Sequence, residues 1–255
     1  MQVYLVNMDR STERLEIMSQ RLATLGIAFE RVAAVDGYKL ADTAKKCVIA
    51  PNWRYPYHLT PGEIGCFLSH KKCWQKLVDS KDDWALVLED DSYFHPKAKD
   101  YFQSTTWIPS GVKLIQFSFA IDDTYSDKII TLHNGCHLVR VKHSSPCGTY
   151  AYMISREAAL QALTLSDKIE GPIDNFMFGM FFEFPKIISN WRLKECVVKV
   201  IDDVEPTITG RGRCNKTNSR NKINPLRLLE KVKIQFGRLK TKKIQQNWYN
   251  DNQKS

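Results

Sequence analysis

Apolar and polar positions near the start of the chain switch between two periods, predicting strands and helices in turn. Val3-Tyr4-Leu5-Val6 is a short apolar run that ends at polar Asn7-Met8-Asp9-Arg10. Leu15, Met18, Leu22 and Leu25 then recur at helical spacing, and Gly26 stops that helix. Phe29 to Val35 reads as a second strand. The first loop of this β-α-β opening, Asn7 to Arg14, falls at the carboxyl end of a strand, where α/β sheets bind ligands. No G-x-G-x-x-G follows, so a dinucleotide fingerprint is absent. Residues 40–58 look irregular. Thr60-Pro61-Gly62-Glu63 then has the make-up of a capping box with proline at the first helical position, predicting a helix to about Leu77. Trp84-Ala85-Leu86-Val87-Leu88 is too short for a free-standing helix and predicts a buried central strand. Further strands are expected at Lys113–Phe117, Leu138–Val141, Thr149–Ile154 and Lys186–Ile188. Ser155 can cap a helix over Arg156–Leu165, and Gly171-Pro172 opens another through Asp174 and Phe178. Strands alternating with helices predict an α/β fold with a mainly parallel central sheet.

Charge divides the chain. Its 255 residues carry 37 Lys plus Arg and 28 Asp plus Glu, a net +9. From Arg211 to Ser255 there are 13 bases and two acids, whereas residues 1–210 carry 24 bases and 26 acids. The expected organisation is therefore an α/β domain over 1–210 and a basic C-terminal extension over 211–255. Within the extension, Leu228, Leu229, Val232, Phe236 and Leu239 fall at helical spacing, and Arg227, Lys231, Arg238, Lys242 and Lys243 mostly lie off that stripe. Such a basic amphipathic helix either lies on an anionic bilayer or packs its apolar face on the body. The hydrophobic fraction of 43% and aromatic fraction of 11% exclude wholesale disorder, collagen, coiled coil and repeat arrays. No apolar run reaches the length of a spanning helix. MQVYLVNMDR lacks the basic start and long apolar stretch of a signal peptide, so the expected location is cytoplasmic. The seven cysteines include no C-x-x-C pair and are expected as reduced thiols, although Cys66 and Cys73 could share one helix face.

The chemistry concentrates at Glu89-Asp90-Asp91, where a buried strand leaves the core. Three adjacent carboxylates repel one another, and burying them is costly unless a cation neutralises them. Hard divalent ions take oxygen ligands. On extended backbone Glu89 and Asp91 point the same way and could face one ion while Asp90 points elsewhere. A solvated acidic turn is the other reading.

Six pieces in order carry a resemblance: YLVNMDRSTERLE from Tyr4, RVAAVDG from Arg31, LTPGEIGCFLSHKKCW from Leu59, WALVLEDD from Trp84, CGTYAYMISREAA from Cys147 and GPIDNFM from Gly171. Together they resemble glycosyltransferase family 25, the lipopolysaccharide and lipooligosaccharide sugar transferases, over most of residues 1–180; beyond Trp191 the likeness fades. The resemblance implies a GT-A-like nucleotide-sugar-binding fold. It implies Mn²⁺ or Mg²⁺ at the acidic motif, with Glu89 and Asp91 as ligands and Asp90 beside the donor. Asn7, Arg10 and Arg14 become candidates for uridine and phosphate contacts, since the planar arginine fork suits phosphate oxygens. Ala34, Asp36 and Gly37 resemble the wall of the uracil and ribose pocket. Ser69 and His70 match the family's L-S-H element, with His70 open between a donor-side role and that of a buried anchor for its helix.

An inverting displacement, as the family implies, needs a base for the acceptor hydroxyl. Asp174 of Pro172-Ile173-Asp174 matches the family's P-x-D element, although an acid there also suits the helix dipole. Glu183 and Asp202 are weaker candidates. Many GT-A enzymes add a late metal ligand, often His. The six histidines here end at His143, leaving Asp202, Asp203 or water for that position. Trp53, Tyr55 and Tyr57, or Phe178, Phe181 and Phe182, could line an acceptor site. The implied activity moves a hexose, galactose from UDP-galactose by family base rate, onto a lipooligosaccharide core, with the basic extension against the anionic inner leaflet of the inner membrane. Two other readings stay open. One is a nucleic-acid-binding protein using the basic segment, against which stand the net-negative body and the lack of any recognition signature, so no nucleic acid is expected. The other is a sugar-nucleotide-binding pseudoenzyme.

Overall fold

The computed structural model describes residues 1–42, 44, 49, 58–118, 124–143, 148–200 and 241–248. The chain opens with strand β1 (Gln2–Asn7), helix α1 (Thr12–Thr24) and strand β2 (Glu30–Ala33). Helix α2 (Pro61–Asp79) then leads into β3 (Trp84–Glu89) and β4 (Ser92–Phe94), followed by a short helix α3 (Lys99–Phe102). Strands β5 (Leu114–Gln116), β6 (Thr124–Thr131), β7 (His137–His143) and β8 (Ala151–Ser155) come next. After them run helices α4 (Arg156–Leu165), α5 (Ile173–Phe178) and α6 (Phe184–Ile187). The last strands are β9 (Trp191–Leu193), β10 (Glu195–Cys196), β11 (Val198–Val200), β12 (Lys242–Ile244) and β13 (Asn247–Trp248).

Nine strands form one sheet in the order β12-β6-β7-β9-β5-β8-β3-β1-β2. β1 is parallel to β2 and β3, and β5 is parallel to β9; every other neighbour is antiparallel. The sheet is therefore mixed, which corrects the expectation of a mainly parallel one. A parallel neighbour needs a crossover of a dozen or more residues, whereas a hairpin closes in a few. The β6–β7 pair is such a hairpin, shut by the Leu132 N–H to Cys136 carbonyl bond with Gly135 at φ +81°. The strand expected at 186–188 is also corrected. Residues Phe184–Ile187 are helical, and the strand is Trp191–Leu193.

Side chains of the central strands alternate between two cores. Leu86 and Leu88 pack with Met18 and Leu22 of α1 on one face, while Ala85 and Val87 pack with Phe67, Trp74 and Phe176 on the other. Local chemistry sets the helix ends. Thr60 Oγ1 accepts the Glu63 N–H at 3.2 Å and Glu63 Oε2 accepts the Thr60 N–H at 2.7 Å, so the capping box closes as its residues predict. Ser155 Oγ accepts the Ala158 N–H and caps α4. Phe178 and Phe182 are buried in the second core and Phe181 packs against it, so these rings are core rather than an acceptor platform. Trp53, Tyr55, Tyr57, Asp202, Asp203 and the apolar stripe 228–239 lie outside the described residues. Within the basic segment, Lys242–Ile244 pair antiparallel with β6 and so continue the sheet. No described helix is long and apolar enough to cross a membrane.

Candidate active site

β1, β2 and β3 are mutually parallel, so their carboxyl ends share one edge of the sheet, and a cleft of about 420 Å³ opens there. The first loop, the segment after β2, one face of α2, the acidic turn after β3 and the start of α5 wall it. The twelve residues that the resemblance places at the donor, the metal and the principal base position all line this cleft, although they are spread from position 7 to position 174. They are Asn7, Arg10 and Arg14 of the first loop; Ala34, Asp36 and Gly37 after β2; Ser69 and His70 of α2; Glu89, Asp90 and Asp91; and Asp174.

The parallel register puts Val6 opposite Glu89, which brings Asn7 beside Asp90. Asn7 Nδ2 donates to Asp90 Oδ2 at 2.7 Å and to the Ser11 carbonyl at 2.9 Å, while its Oδ1 accepts from Arg31 Nε at 3.0 Å. Asn7 is buried, and this amide already ties three elements together. Arg14 Nη1 reaches the other Asp90 oxygen at 3.1 Å. Asp90 is thus bound to the first loop through both carboxylate oxygens. Burial raises the Asp90 carboxyl, against the hydrogen bond from Asn7 and the charge of Arg14.

Asp91 is different. Its Oδ1 is buried and has no hydrogen-bond partner. Burial, with the charges of Glu89 and Asp90, pushes its carboxyl up to about 7. A buried, unpartnered carboxylate oxygen beside two further acids is the donor chemistry that a hard divalent cation needs. Glu89 and Asp91 could therefore hold Mn²⁺ or Mg²⁺.

Arg10 and Asp36, expected on phosphate and ribose, form an ion pair with each other at 2.5 Å across the mouth of the cleft. Burial raises the Asp36 carboxyl, but hydrogen bonds from Arg10 and the Tyr38 N–H outweigh it and hold the group below the usual range. Gly37 sits where the segment after β2 crosses the start of α2, and a Cβ there would stand 1.6 Å from the Pro61 carbonyl oxygen. Ser69 clamps the same crossing: its Oγ accepts the Val35 N–H at 2.8 Å and donates to the Gly65 carbonyl at 2.7 Å. Gly37 and Ser69 thus shape the wall through backbone approach. At the start of α5, Asp174 lines the cleft and its Oδ1 accepts the Asn175 N–H at 2.8 Å. Glu183, the weaker candidate for a base, pairs with Lys186 at 3.0 Å.

His70 is fully buried, its Nδ1 2.9 Å from the Tyr152 hydroxyl, which also accepts from Trp74 Nε1 at 2.9 Å. This bond ties α2 to β8 but satisfies only one of the two ring nitrogens. Its Nε2 lies 3.3 Å from Glu89 Oε1 without a hydrogen-bond alignment. Cys66, one turn before His70, lines the cleft, and Cys73, two turns further along the same face of α2, is buried in the core against which Cys66 also packs. One partner of the acidic turn and one brace of the first loop escaped sequence reasoning. Thr149 Oγ1 donates to Glu89 Oε1 at 2.6 Å, and Arg31 braces Asn7. Thr149 enters because β8 pairs with β3, a non-local pairing; Arg31 stood inside the quoted RVAAVDG piece.

Comparison with known proteins points the same way. A model of "Glycosyltransferase family 25 (LPS biosynthesis protein)" matches residues 1–177, a span that holds all twelve residues. A glycosyltransferase 25 family member of Drosophila pseudoobscura pseudoobscura is 38% identical over 196 residues, 72% of this chain and 30% of that protein. The human procollagen galactosyltransferase 2 is 36% identical over 104 residues, 38% of this chain and 17% of that protein. The chain covers 17% to 31% of the length of the curated relatives from Aedes aegypti and Drosophila melanogaster. Among solved structures, a glycosyltransferase involved in glycosylation of the major capsid of PBCV-1 aligns over 80% of this chain and 93% of that one, at 10% identity and a TM-score of 0.45. By the family match across residues 1–177, this chain belongs to glycosyltransferase family 25.

Proposed function

We propose that this chain transfers a hexose, galactose from UDP-galactose, to a sugar hydroxyl of a lipooligosaccharide core by an inverting displacement. The observation that supports this most is the cleft itself, whose lining joins two arginines, an unpartnered buried carboxylate and Asp174 at the start of α5. In this reading Arg10 turns from Asp36 to the leaving diphosphate. Asp36 is then released to accept a ribose hydroxyl. Arg14 stays on Asp90 and keeps positive charge beside the phosphates. Asn7 holds the first loop against the acidic turn, so the nucleotide pocket keeps its shape. Glu89 and Asp91 are the residues that would hold Mn²⁺ or Mg²⁺, and the chemistry such an ion supplies is neutralisation of charge developing on the leaving group. Asp174 accepts the proton of the attacking hydroxyl.

The lipooligosaccharide acceptor is supported by the family's description and by the 13 Lys plus Arg between Arg211 and Ser255, which favour an anionic lipid surface on the cytoplasmic side of the inner membrane. A second acceptor class is favoured by the name of the human relative, a procollagen galactosyltransferase. Offering a purified deacylated lipooligosaccharide and a collagen peptide separately, with UDP-galactose, separates the two by mass spectrometry. A hexose added to the glycan supports the reading. A hexose on the peptide alone reassigns the acceptor, and none on either overturns the transfer.

A further inference from the structure

We infer that the floor of the cleft carries a second cation site, which shares Glu89 with the carboxylate site at Asp91 but differs from it in chemistry: Cys66, His70 and Glu89 form a three-ligand site for a thiophilic divalent ion such as Zn²⁺. Cys66 and His70 stand four residues apart on α2, so their side chains project on the same face one turn apart. Glu89, the last residue of β3, reaches them from the sheet. One ligating atom from each residue falls in a set whose members all lie within 4.8 Å of one another.

The spacing matches a metal better than it matches a hydrogen bond. Two donors bound at roughly 2.0–2.1 Å around a tetrahedral centre stand about 3.3–3.4 Å apart. His70 Nε2 and Glu89 Oε1 are 3.3 Å apart, and their alignment leaves Nε2 with no hydrogen-bond partner although the ring is fully buried. Either tautomer leaves this nitrogen unsatisfied. With the proton on Nδ1, a lone pair faces a carboxylate; with the proton on Nε2, the N–H misses its acceptor. A cation between them resolves the first case. The remaining ring nitrogen is already in place for it, since the Tyr152 hydroxyl meets Nδ1 at 2.9 Å. A metal-bound histidine takes such an outer bond, which fixes its tautomer and ring plane. Burial keeps the Tyr152 phenol protonated, and Trp74 Nε1 holds its oxygen in position. Glu89 is likewise oriented by the Thr149 hydroxyl. Three protein ligands with Cys66 on the cleft side leave the fourth position to water, the arrangement of an open zinc site.

Thiolate and imidazole donors distinguish this site from an oxygen-only one, because softer ligands select Zn²⁺ and Co²⁺ over Mg²⁺. Titrating the full-length, reduced, metal-free protein with Co²⁺ tests it directly. The expected result is one equivalent bound with a sulfur-to-cobalt charge-transfer band, retained in excess Mg²⁺ and bleached by Zn²⁺. Cys66→Ser should abolish the band and weaken Zn²⁺ binding beyond the roughly 10–100-fold that losing an outer-shell partner costs. Cys66→Ala should behave alike, with circular dichroism and the unfolding midpoint confirming that both variants fold. Absence of a charge-transfer band in the native protein, its persistence in both Cys66 variants, or its displacement by Mg²⁺ would each overturn the site.

Discussion

Replacing Asp91 with Asn should stabilise the metal-free protein, by an amount that grows from about pH 4 and is complete above about pH 7. The carboxyl moves from its ordinary 3.8 to about 7 in the folded chain, because it is buried and faces Glu89 and Asp90. That rise of about three pH units corresponds to on the order of 4 kcal/mol at about 1.36 kcal/mol each. The sign follows from proton binding. Between about pH 4 and pH 7 the unfolded chain has lost this proton while the native state keeps it, so stability falls as pH rises and levels off above about 7. Asparagine keeps the shape of the neutral acid and removes the charge. Contributions of the paired carboxylates Asp36 and Asp127, both held below the usual range, run the opposite way but are common to both proteins and cancel in the difference. Urea unfolding of wild type and Asp91→Asn, in chelator from pH 4 to pH 8, is the assay. The curves should coincide near pH 4 and separate by on the order of 4 kcal/mol, or about 10 °C in Tm, at pH 8. Saturating Mn²⁺ should close the gap by stabilising wild type alone. A variant no more stable than wild type at pH 8 refutes the picture of an uncompensated buried carboxylate.

Three further outcomes follow from the same geometry. Gly37→Ala drives a Cβ to 1.6 Å from the Pro61 carbonyl oxygen and should cost about 3 kcal/mol in urea unfolding, the upper end of overpacking penalties; a change under about 0.5 kcal/mol would mean the crossing yields freely. Asp174→Asn should bind UDP with unchanged affinity by calorimetry while losing transfer by about 100-fold or more, and unaltered transfer would move the base elsewhere. Replacing Arg227, Lys231 and Arg238 together by Gln should weaken binding to phosphatidylserine vesicles by about 3 kcal/mol, roughly 100-fold, with no change on neutral vesicles; equal binding by both proteins would remove the membrane from the account.

The parts legible in the sequence are those that local chemistry decides. Thr60 and Glu63 satisfy each other's backbone groups within one turn, so the start of α2 could be read to the residue. Ser155 caps α4 by the same logic. The apolar run before Glu89 is buried from both sides of the sheet, which is why its sequence is continuous rather than alternating. Strand partners were not legible, because β8 enters between β3 and β5 through contacts made far along the chain. The same non-local pairing hid Thr149 as a partner of Glu89. Ile187 and Ile188 read as a strand because a two-residue apolar step fits either period; Pro185 in the first turn instead opens a short helix. At the site, residue types named the right positions, yet partnership came only with the fold. Asn7 is spent on Asp90 and Arg31, and Arg10 is held by Asp36. The i, i+4 spacing of Cys66 and His70 was present in the sequence, but only the arrival of Glu89 from β3 turns it into a ligand set.

The most direct measurement of the central claim is release of UDP from UDP-galactose by the purified chain, with Mn²⁺ or with chelator, for wild type and Asp91→Asn. Slow release that requires Mn²⁺ and disappears in the variant is the predicted result. Release that is unaffected by chelator and survives in Asp91→Asn, or failure of the wild-type cleft to bind UDP at all, would contradict it.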